Sequence, residues 1–267
     1  MAYCYFNGSI VDESQASISI HNLGLQRGFG IFDLFRGRGG RPTFMEDHLA
    51  RFYKSQSFLD LDINIEKEEI RVAVGELQEA NNFDESTFRL MLLADGNESE
   101  EVLKPLFYIT NSDISSHNNP STANVILHEY LREYPSIKSI NYLTSNHLHR
   151  AKKKAHAIDV VYHSNGIISE ASRSNIFLVK DGVLLTPQTN ILLGVTRKNI
   201  LSFAEEILPV SVQDVSVRML FEAEEVFISS TLKEVMPIVT IDGRKVGEGQ
   251  AGTYTLKIQQ AFIDLLQ

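Results

Sequence analysis

Tight-turn dipeptides inside short alternating segments constrain the fold of this chain more than any other feature. The segment AYCYFNGSIV alternates on both sides of Asn7-Gly8, and GIFDLFRGRGGRPTFM alternates on both sides of Gly39-Gly40. Asn-Gly and Gly-Gly between alternating residues are strong short-range signals of a β-hairpin. Apolar residues at helical spacing follow from about Met45 and again over residues 66–80. The first third of the chain is therefore predicted to be an α+β domain.

A polar segment divides the chain into two patterned regions. DISSHNNPST, residues 113–122, contains an Asn-Pro pair and has few apolar residues, as is typical of domain linkers. We predict a small N-terminal α/β domain over 1–112, the linker over 113–122 and a larger C-terminal domain over 123–267. A long loop inside a single domain is the alternative. In the second region a helix is predicted over 142–157, and another that opens at Val195.

Charge and cysteine content exclude several classes of protein. Lys and Arg number 25 against 34 Asp and Glu, so the net charge of −9 gives no field that attracts a polyanion, and nucleic-acid binding is not expected. A single cysteine rules out an internal disulfide and a thiolate metal cage, and it favours the reducing cytoplasm. No apolar run approaches the roughly 18–20 residues that span a bilayer, so no membrane association is expected.

Metal and nucleotide signatures are likewise not found. The sequence has no GxxxxGK[ST], GxGxxG, HExxH, GxSxG or CxxC motif. His147 and His149 are two residues apart, a spacing that turns side chains to different sides of a helix. We therefore predict no metal site.

Three weak signals for anion binding occur in different parts of the chain. Gly194 precedes a predicted helix, whose first N–H groups would face a ligand with partial positive charge. A hydroxyl run, SST, occupies 229–231 just after a predicted strand, and Arg51 shares an otherwise apolar helix face. Each signal also has a commoner structural interpretation. Gly194 could be an ordinary helix start, the hydroxyl run a turn, and Arg51 a solvated side chain.

Taken together, the motifs resemble one enzyme family. RGFGIFDLFR, HLARFYKS, IKSINYL, ISEASRSNIFLVKDGVLLTP, LLGVTR and ISSTLKEVMP follow one another over residues 27–237. In this order and spacing they resemble the class IV pyridoxal-phosphate enzymes, which include the branched-chain and D-amino-acid aminotransferases and aminodeoxychorismate lyase. The resemblance implies the two-domain α+β architecture of fold type IV, with a small N-terminal α/β domain, a larger C-terminal domain with a β-barrel-like core, and the cofactor in the cleft between them. It also implies a homodimer whose active site takes loops from the partner.

The resemblance implies a role for each matched residue. Lys138 would be the catalytic lysine, since an amine can form a Schiff base with the aldehyde of pyridoxal 5'-phosphate and later move the α-proton. Glu170 would pair with the pyridine nitrogen and keep it protonated. The other implied contacts are Arg51, Thr231 and the backbone N–H groups of Val195 and Thr196 at the phosphate, and Leu192 against the ring.

The subfamily follows less directly from the residues. Lys138 and Asn141 are three apart, which argues against the branched-chain branch, whereas STLKEVMP resembles the aminotransferases more than the lyases. Phe32 stands where D-amino-acid aminotransferases have a tyrosine that contacts the substrate. Arg36 and Arg89 occupy positions typical of branched-chain enzymes, and either guanidinium could receive a substrate carboxylate.

The predicted function is a ping-pong transamination between an amino acid, of D- or branched-chain type, and a 2-oxo acid. One alternative is an aminodeoxychorismate lyase that makes 4-aminobenzoate and pyruvate. The other is a cofactor-free binding protein on a degenerate version of the fold. The stereochemistry of the donor and the identity of the acceptor stay open at this stage.

Overall fold

The computed structural model describes residues 2–61, 63–96 and 103–267 and divides the chain into two compact units. The first unit extends to His117 and includes the segment Ile137–Asn141. The second unit consists of Asn118–Ser136 and Tyr142–Gln267. The first unit thus contains a segment, carrying Lys138, that falls within the predicted C-terminal domain. The domain bounds at 112 and 123 remain a prediction.

The first unit is a six-stranded sheet with helices. Its elements are β1 (Tyr3–Phe6), β2 (Ser9–Asp12), α1 (Leu23–Arg27), β3 (Gly30–Arg38), β4 (Arg41–Pro42), α2 (Met45–Leu59), α3 (Lys67–Asn81), β5 (Glu85–Asp95) and β6 (Lys104–Asp113). The strand order is β2-β1-β6-β5-β3-β4, and every pair is antiparallel.

Local sequence explains the edges and the core of this sheet. Asn7 and Gly8 both have positive φ, 47° and 91°, as a two-residue turn of the predicted hairpin requires. Alternate residues of the central strands face α2 and α3 and close an apolar core. In that core Phe35 stacks on Phe88 at 5.2 Å between ring centroids, and Phe52 of α2 lies 5.8 Å from Phe107. Two predicted hairpins and two predicted helices are confirmed here.

The second unit contains a larger sheet. Its elements are β7 (Ala123–Glu129), α4 (Leu143–His147), α5 (His149–Lys154), β8 (Asp159–Ser164), β9 (Ile167–Ala171), β10 (Asn175–Lys180), β11 (Val183–Thr186), α6 (Val195–Phe203), β12 (Val210–Val212), β13 (Val215–Ser216), α7 (Val217–Phe221), β14 (Glu225–Ser230), β15 (Glu234–Ile241), β16 (Arg244–Lys245) and α8 (Thr253–Leu265). The main strand order is β12-β11-β10-β14-β15-β7-β8-β9-β13, and β16 pairs with β15.

Parallel and antiparallel pairs are mixed in this sheet. β7 pairs in parallel with both β15 and β8, whereas β14 pairs antiparallel with both β10 and β15. The central strands are buried along nearly their whole length, and their apolar side chains form the core of the unit. The α+β class expected from the sequence is confirmed.

One helix prediction is wrong. The continuous helix expected over 142–157 is divided into α4 and α5 at Leu148, whose ψ of 4° departs from the helical value. Apolar spacing does not report such a local change of backbone angle. By contrast, α6 begins at Val195 as predicted. None of the helices in the described part of the chain is long and apolar enough to cross a membrane.

Candidate active site

Lys138 is attached to a central strand of the first unit by its backbone. The N–H of Phe32 donates to the carbonyl of Lys138 at 3.0 Å, and the N–H of Ile140 donates to the carbonyl of Gly30 at 3.1 Å. Ile31 and Ser139 form an antiparallel bridge between these two bonds. The Nζ of Lys138 lies 4.6 Å from the centre of the Phe32 ring. The sheet therefore determines where this amine is presented.

Arg51 is oriented by a buried carboxylate. Its Nε donates to Oδ2 of Asp33 at 2.8 Å, and its Nη2 donates to Oδ1 at 2.7 Å. Nδ1 of His48, one turn earlier on α2, lies 2.7 Å from the same Oδ1. Burial would raise the pKa of Asp33, but Arg51 and His48 outweigh it and hold that pKa well below its usual range. Burial lowers the pKa of His48, although Asp33 opposes the shift.

This pairing restricts the guanidinium of Arg51 to one orientation, because a two-point contact fixes its plane. The side chain of Arg51 is 12% exposed and that of Asp33 is fully buried. The family resemblance implies that Arg51 contacts the phosphate, but no sequence pattern identifies its partners Asp33 and His48 as site residues. Only their spatial proximity to Arg51 shows their importance.

Arg36 and Arg89 differ in their surroundings. Arg36 donates through Nε and Nη2 to Oε2 of Glu85, at 3.0 and 2.6 Å, so its charge is largely compensated. Arg89 is exposed and its Cζ lies 5.1 Å from the ring centre of Phe32. No carboxylate of the described residues pairs with Arg89. Of the two predicted substrate-binding arginines, Arg89 is thus the one without a carboxylate partner among the described residues, and it shares the buried Phe32 ring with Lys138.

Glu170 is a buried carboxylate of the second unit with two defined partners. Its Oε2 accepts the N–H of Leu192 at 2.9 Å, and its Oε1 lies 3.2 Å from Nε of Arg132. Nη2 of Arg132 also donates to the carbonyl of Ser172 at 2.8 Å. Burial opposes the charge on Arg132, but Glu170 and Tyr142 together raise its pKa above the ordinary value. Glu170 thus lies beside a cation in a buried environment.

Two features of this cluster were not predicted from the sequence. Leu192 touches Glu170 through its backbone N–H, whereas the prediction concerned its side chain. Arg132 is isolated in the sequence, six residues before Lys138, and carries no motif that would distinguish it from a surface arginine. Its Cζ lies 4.7 Å from the ring centre of Tyr142, which packs against the guanidinium.

The first turn of α6 presents backbone N–H groups next to a glycine. Gly194 is the N-cap residue, and no described side chain caps the helix. Val195 and Thr196 in the first turn are buried. A Cβ on Gly194 would lie 2.1 Å from Oδ1 of Asn175, so only glycine allows this approach. Nδ2 of Asn175 in turn donates to the carbonyl of Leu192 at 2.8 Å.

The hydroxyl run at 229–231 lies at the end of β14. Ser229 pairs with Asn175 across the sheet, so both side chains project from the same face. The Oγ of Ser229 is buried and has no hydrogen-bond partner among the described residues. Thr231 follows in the turn to β15 and is half-buried. An unsatisfied buried hydroxyl beside an uncapped helix N-terminus is a donor set that suits a phosphate.

Within residues 2–61, 63–96 and 103–267, no group of three His, Cys, Asp or Glu side chains is arranged to hold a metal ion.

Comparison with known proteins relates this geometry to named enzymes. The family model of the class IV amino-transferases matches residues 30–241. The D-alanine aminotransferase of Staphylococcus epidermidis is 32% identical, with 100% of this chain and 99% of the relative covered. A putative branched-chain-amino-acid aminotransferase of Methanocaldococcus jannaschii is 30% identical, with 98% and 95% covered.

Solved structures agree with these sequence relatives. The branched-chain amino acid aminotransferase of Escherichia coli superimposes with a TM-score of 0.91 at 27% identity, covering 100% of this chain and 94% of that one. The branched-chain aminotransferase of Thermoproteus uzoniensis, solved with norvaline, has the same TM-score at 25% identity, covering 99% and 94%.

Proposed function

The chain belongs to the class IV aminotransferases, pyridoxal-phosphate enzymes, and from this premise we propose that it transfers an amino group between an amino acid and a 2-oxo acid through Lys138. The observation that carries the proposal is the backbone attachment of Lys138 to β3, which holds its amine over Phe32. An amine in a fixed position is what covalent catalysis requires. The lyase and the cofactor-free binding protein are not favoured, since the relatives are named as aminotransferases.

The residues of the second unit suit the cofactor. When bound, pyridoxal 5'-phosphate supplies an aldehyde for the lysine and a ring that accepts electrons. We propose that the carboxylate of Glu170 holds a proton on the ring nitrogen. The N–H groups of Val195 and Thr196 and the hydroxyl of Thr231 would bind the phosphate, and Leu192 would pack against the ring. The unsatisfied Oγ of Ser229 supports this assignment, because it leaves a buried donor available beside α6.

The residues of the first unit suit the remaining roles. Lys138 would take the α-proton from the amino acid donor. In the second half of the reaction it would return a proton to the carbon of the acceptor 2-oxo acid that receives the nitrogen. Arg51, oriented by Asp33, would provide a fixed positive charge for the phosphate. Arg89 would bind the substrate carboxylate, because the guanidinium of Arg36 is already paired with Glu85. Phe32 would form an apolar wall beside both cations.

The first test is the visible absorption spectrum of the purified protein before and after addition of separate pools of L- and D-amino acids. We expect a yellow protein that bleaches with one pool, which would also identify the chirality of the donor. Lys138→Ala should lose activity by at least about 10³-fold, whereas the control Lys154→Ala, at an exposed lysine of α5, should retain it. Wild-type activity in Lys138→Ala, or a protein that cannot be reconstituted with pyridoxal 5'-phosphate, would contradict the assignment.

Two further parts of the proposal rest on the family. We propose a homodimer in the cytoplasm, in line with the resemblance and with a sequence that has one cysteine. Light scattering on the purified protein tests the oligomeric state, and a monomer that is fully active would contradict the dimer.

A further inference from the structure

A buried ion pair outside the cofactor contacts named above joins two segments of the second unit. Asp159, the first residue of β8, is 1% exposed. Its Oδ1 accepts from the Oγ of Ser172 at 2.5 Å and from the N–H of Val160 at 2.8 Å. Its Oδ2 accepts from Nζ of Lys233 at 3.1 Å and from the Oγ of Ser174 at 3.2 Å. Both oxygens of this carboxylate are therefore satisfied by defined donors.

The ion pair between Asp159 and Lys233 is electrostatically favourable. Burial would raise the pKa of Asp159, but Lys233 and the hydrogen bonds outweigh it, and the pKa lies below its ordinary value. Lys152 adds a second, weaker positive charge that also interacts with Asp159. A buried carboxylate without its cation would be strongly destabilised. Lys233 is therefore restricted to this position.

Lys233 belongs to the turn that also carries Thr231. The backbone N–H of Lys233 donates to the Oγ of Ser230 at 3.3 Å, and the carbonyl of Leu232 accepts from Nδ2 of Asn119 at 2.7 Å. Glu234, which ends the turn, has a backbone φ of 53°, a value that residues other than glycine rarely adopt. The turn thus adopts a conformation that depends on contacts with neighbouring segments.

The other end of the network reaches Glu170. The hydroxyl of Ser172 donates to Asp159, and the carbonyl of Ser172 accepts from Arg132. Arg132 also contacts Glu170, and Glu170 precedes Ser172 by two residues in the chain. A continuous set of polar contacts therefore runs from the turn at 231–233 to the carboxylate of Glu170.

We propose that Lys233 and Asp159 are positioning residues for the phosphate end of the cofactor. Their ion pair holds the 231–233 turn against the start of β8, and this holds Thr231 in place. The inference rests on the proposed function, because it takes Thr231 as a phosphate contact. Neither Lys233 nor Asp159 needs to touch the cofactor for this effect.

The test compares a ligand that has the phosphate with one that lacks it. Apoenzyme is titrated with pyridoxal 5'-phosphate and with pyridoxal, and bound ligand is followed by visible absorption. In Lys233→Met, which keeps the apolar stem and removes the charge, we expect affinity for pyridoxal 5'-phosphate to fall at least tenfold and affinity for pyridoxal to change less than twofold. Lys233→Arg should restore most of the phosphate-dependent affinity. The ³¹P resonance of bound cofactor should shift in Lys233→Met.

Controls separate positioning from folding. Lys180→Met removes another lysine of this unit that forms an ion pair, with Asp181, and it should leave both affinities unchanged. The double variant Lys233→Met/Asp159→Asn has no unpaired buried charge, so it should be more stable to urea than Lys233→Met. It should still bind pyridoxal 5'-phosphate at least tenfold more weakly than wild type, and it replaces Lys233→Met if that variant does not fold.

The outcomes are distinct. Equal losses for the two ligands, or no loss for either in the double variant, would overturn the positioning role and leave the proposed function intact. If wild-type protein fails to bind pyridoxal 5'-phosphate, the proposed function itself is wrong, and this inference with it.

Discussion

Replacing Gly194 by alanine creates a steric conflict that does not involve backbone strain. The φ of −66° at Gly194 suits any residue. The added methyl carbon, however, would lie 2.1 Å from Oδ1 of Asn175, whereas real contacts of this kind stay above 3.0 Å. One group must move by roughly 1 Å, as in other overpacked sites. Either Asn175 loses its 2.8 Å hydrogen bond to the carbonyl of Leu192, or the first turn of α6 shifts.

The expected cost follows from these two effects. Overpacking costs about 1–3 kcal/mol, and loss of a buried hydrogen bond adds about 1 kcal/mol. We therefore expect Gly194→Ala to lower the free energy of unfolding by about 2–4 kcal/mol and to weaken the binding of pyridoxal 5'-phosphate. Urea unfolding followed by circular dichroism measures the first quantity, and titration of the apoenzyme measures the second.

Two matched variants make the reasoning refutable. Gly75 lies exposed in α3 with no atom near its added Cβ, so Gly75→Ala should stabilise the protein by about 0.5–1 kcal/mol. Adding Asn175→Ala to Gly194→Ala removes the colliding oxygen. The double variant should therefore lose less free energy of unfolding than the sum of the losses in the two single variants. Wild-type stability in Gly194→Ala, or additive losses in the double variant, would refute the steric argument.

Three further predictions concern buried polar groups. Asp33→Asn leaves Arg51 without its buried anion, so urea unfolding should show a loss of about 3–5 kcal/mol, and a loss below about 1 kcal/mol would contradict the ion pair. The pKa of His48 is lowered by burial, so the folded state binds that proton less readily than the unfolded chain, and stability should fall as the pH drops below about 6.5. His48→Gln should lose less stability between about pH 7.5 and 5.5 than wild type; an equal loss would show that His48 is not responsible. Glu225 accepts three hydrogen bonds at the start of α8, so Glu225→Ala should cost about 2–3 kcal/mol and expose α8 to faster amide hydrogen exchange, and unchanged exchange would rule out this capping role.

Local chemistry explains the parts of the fold that were predicted from the sequence. The turn at Asn7-Gly8 needs two residues with positive φ, and those residue types adopt it readily, so the hairpin is encoded over ten residues. Helix α6 likewise begins at the residue after Gly194. The failure at Leu148 shows the limit of the same reasoning, because apolar spacing continues across the point where the backbone leaves the helix.

Motifs whose residues are close together in the chain are enough to predict the family, the α+β class and the lysine expected to carry the chemistry. The pairing of polar groups, in contrast, is visible only in the folded structure. Asp33 meets Arg51 across 18 positions, and Lys233 meets Asp159 across 74. The folded structure also shows that the charge of Arg36 is paired with Glu85 and that Arg89 is exposed. The electrostatic environment of a charged side chain depends on its burial and on neighbours distant in sequence, and no local sequence pattern records either.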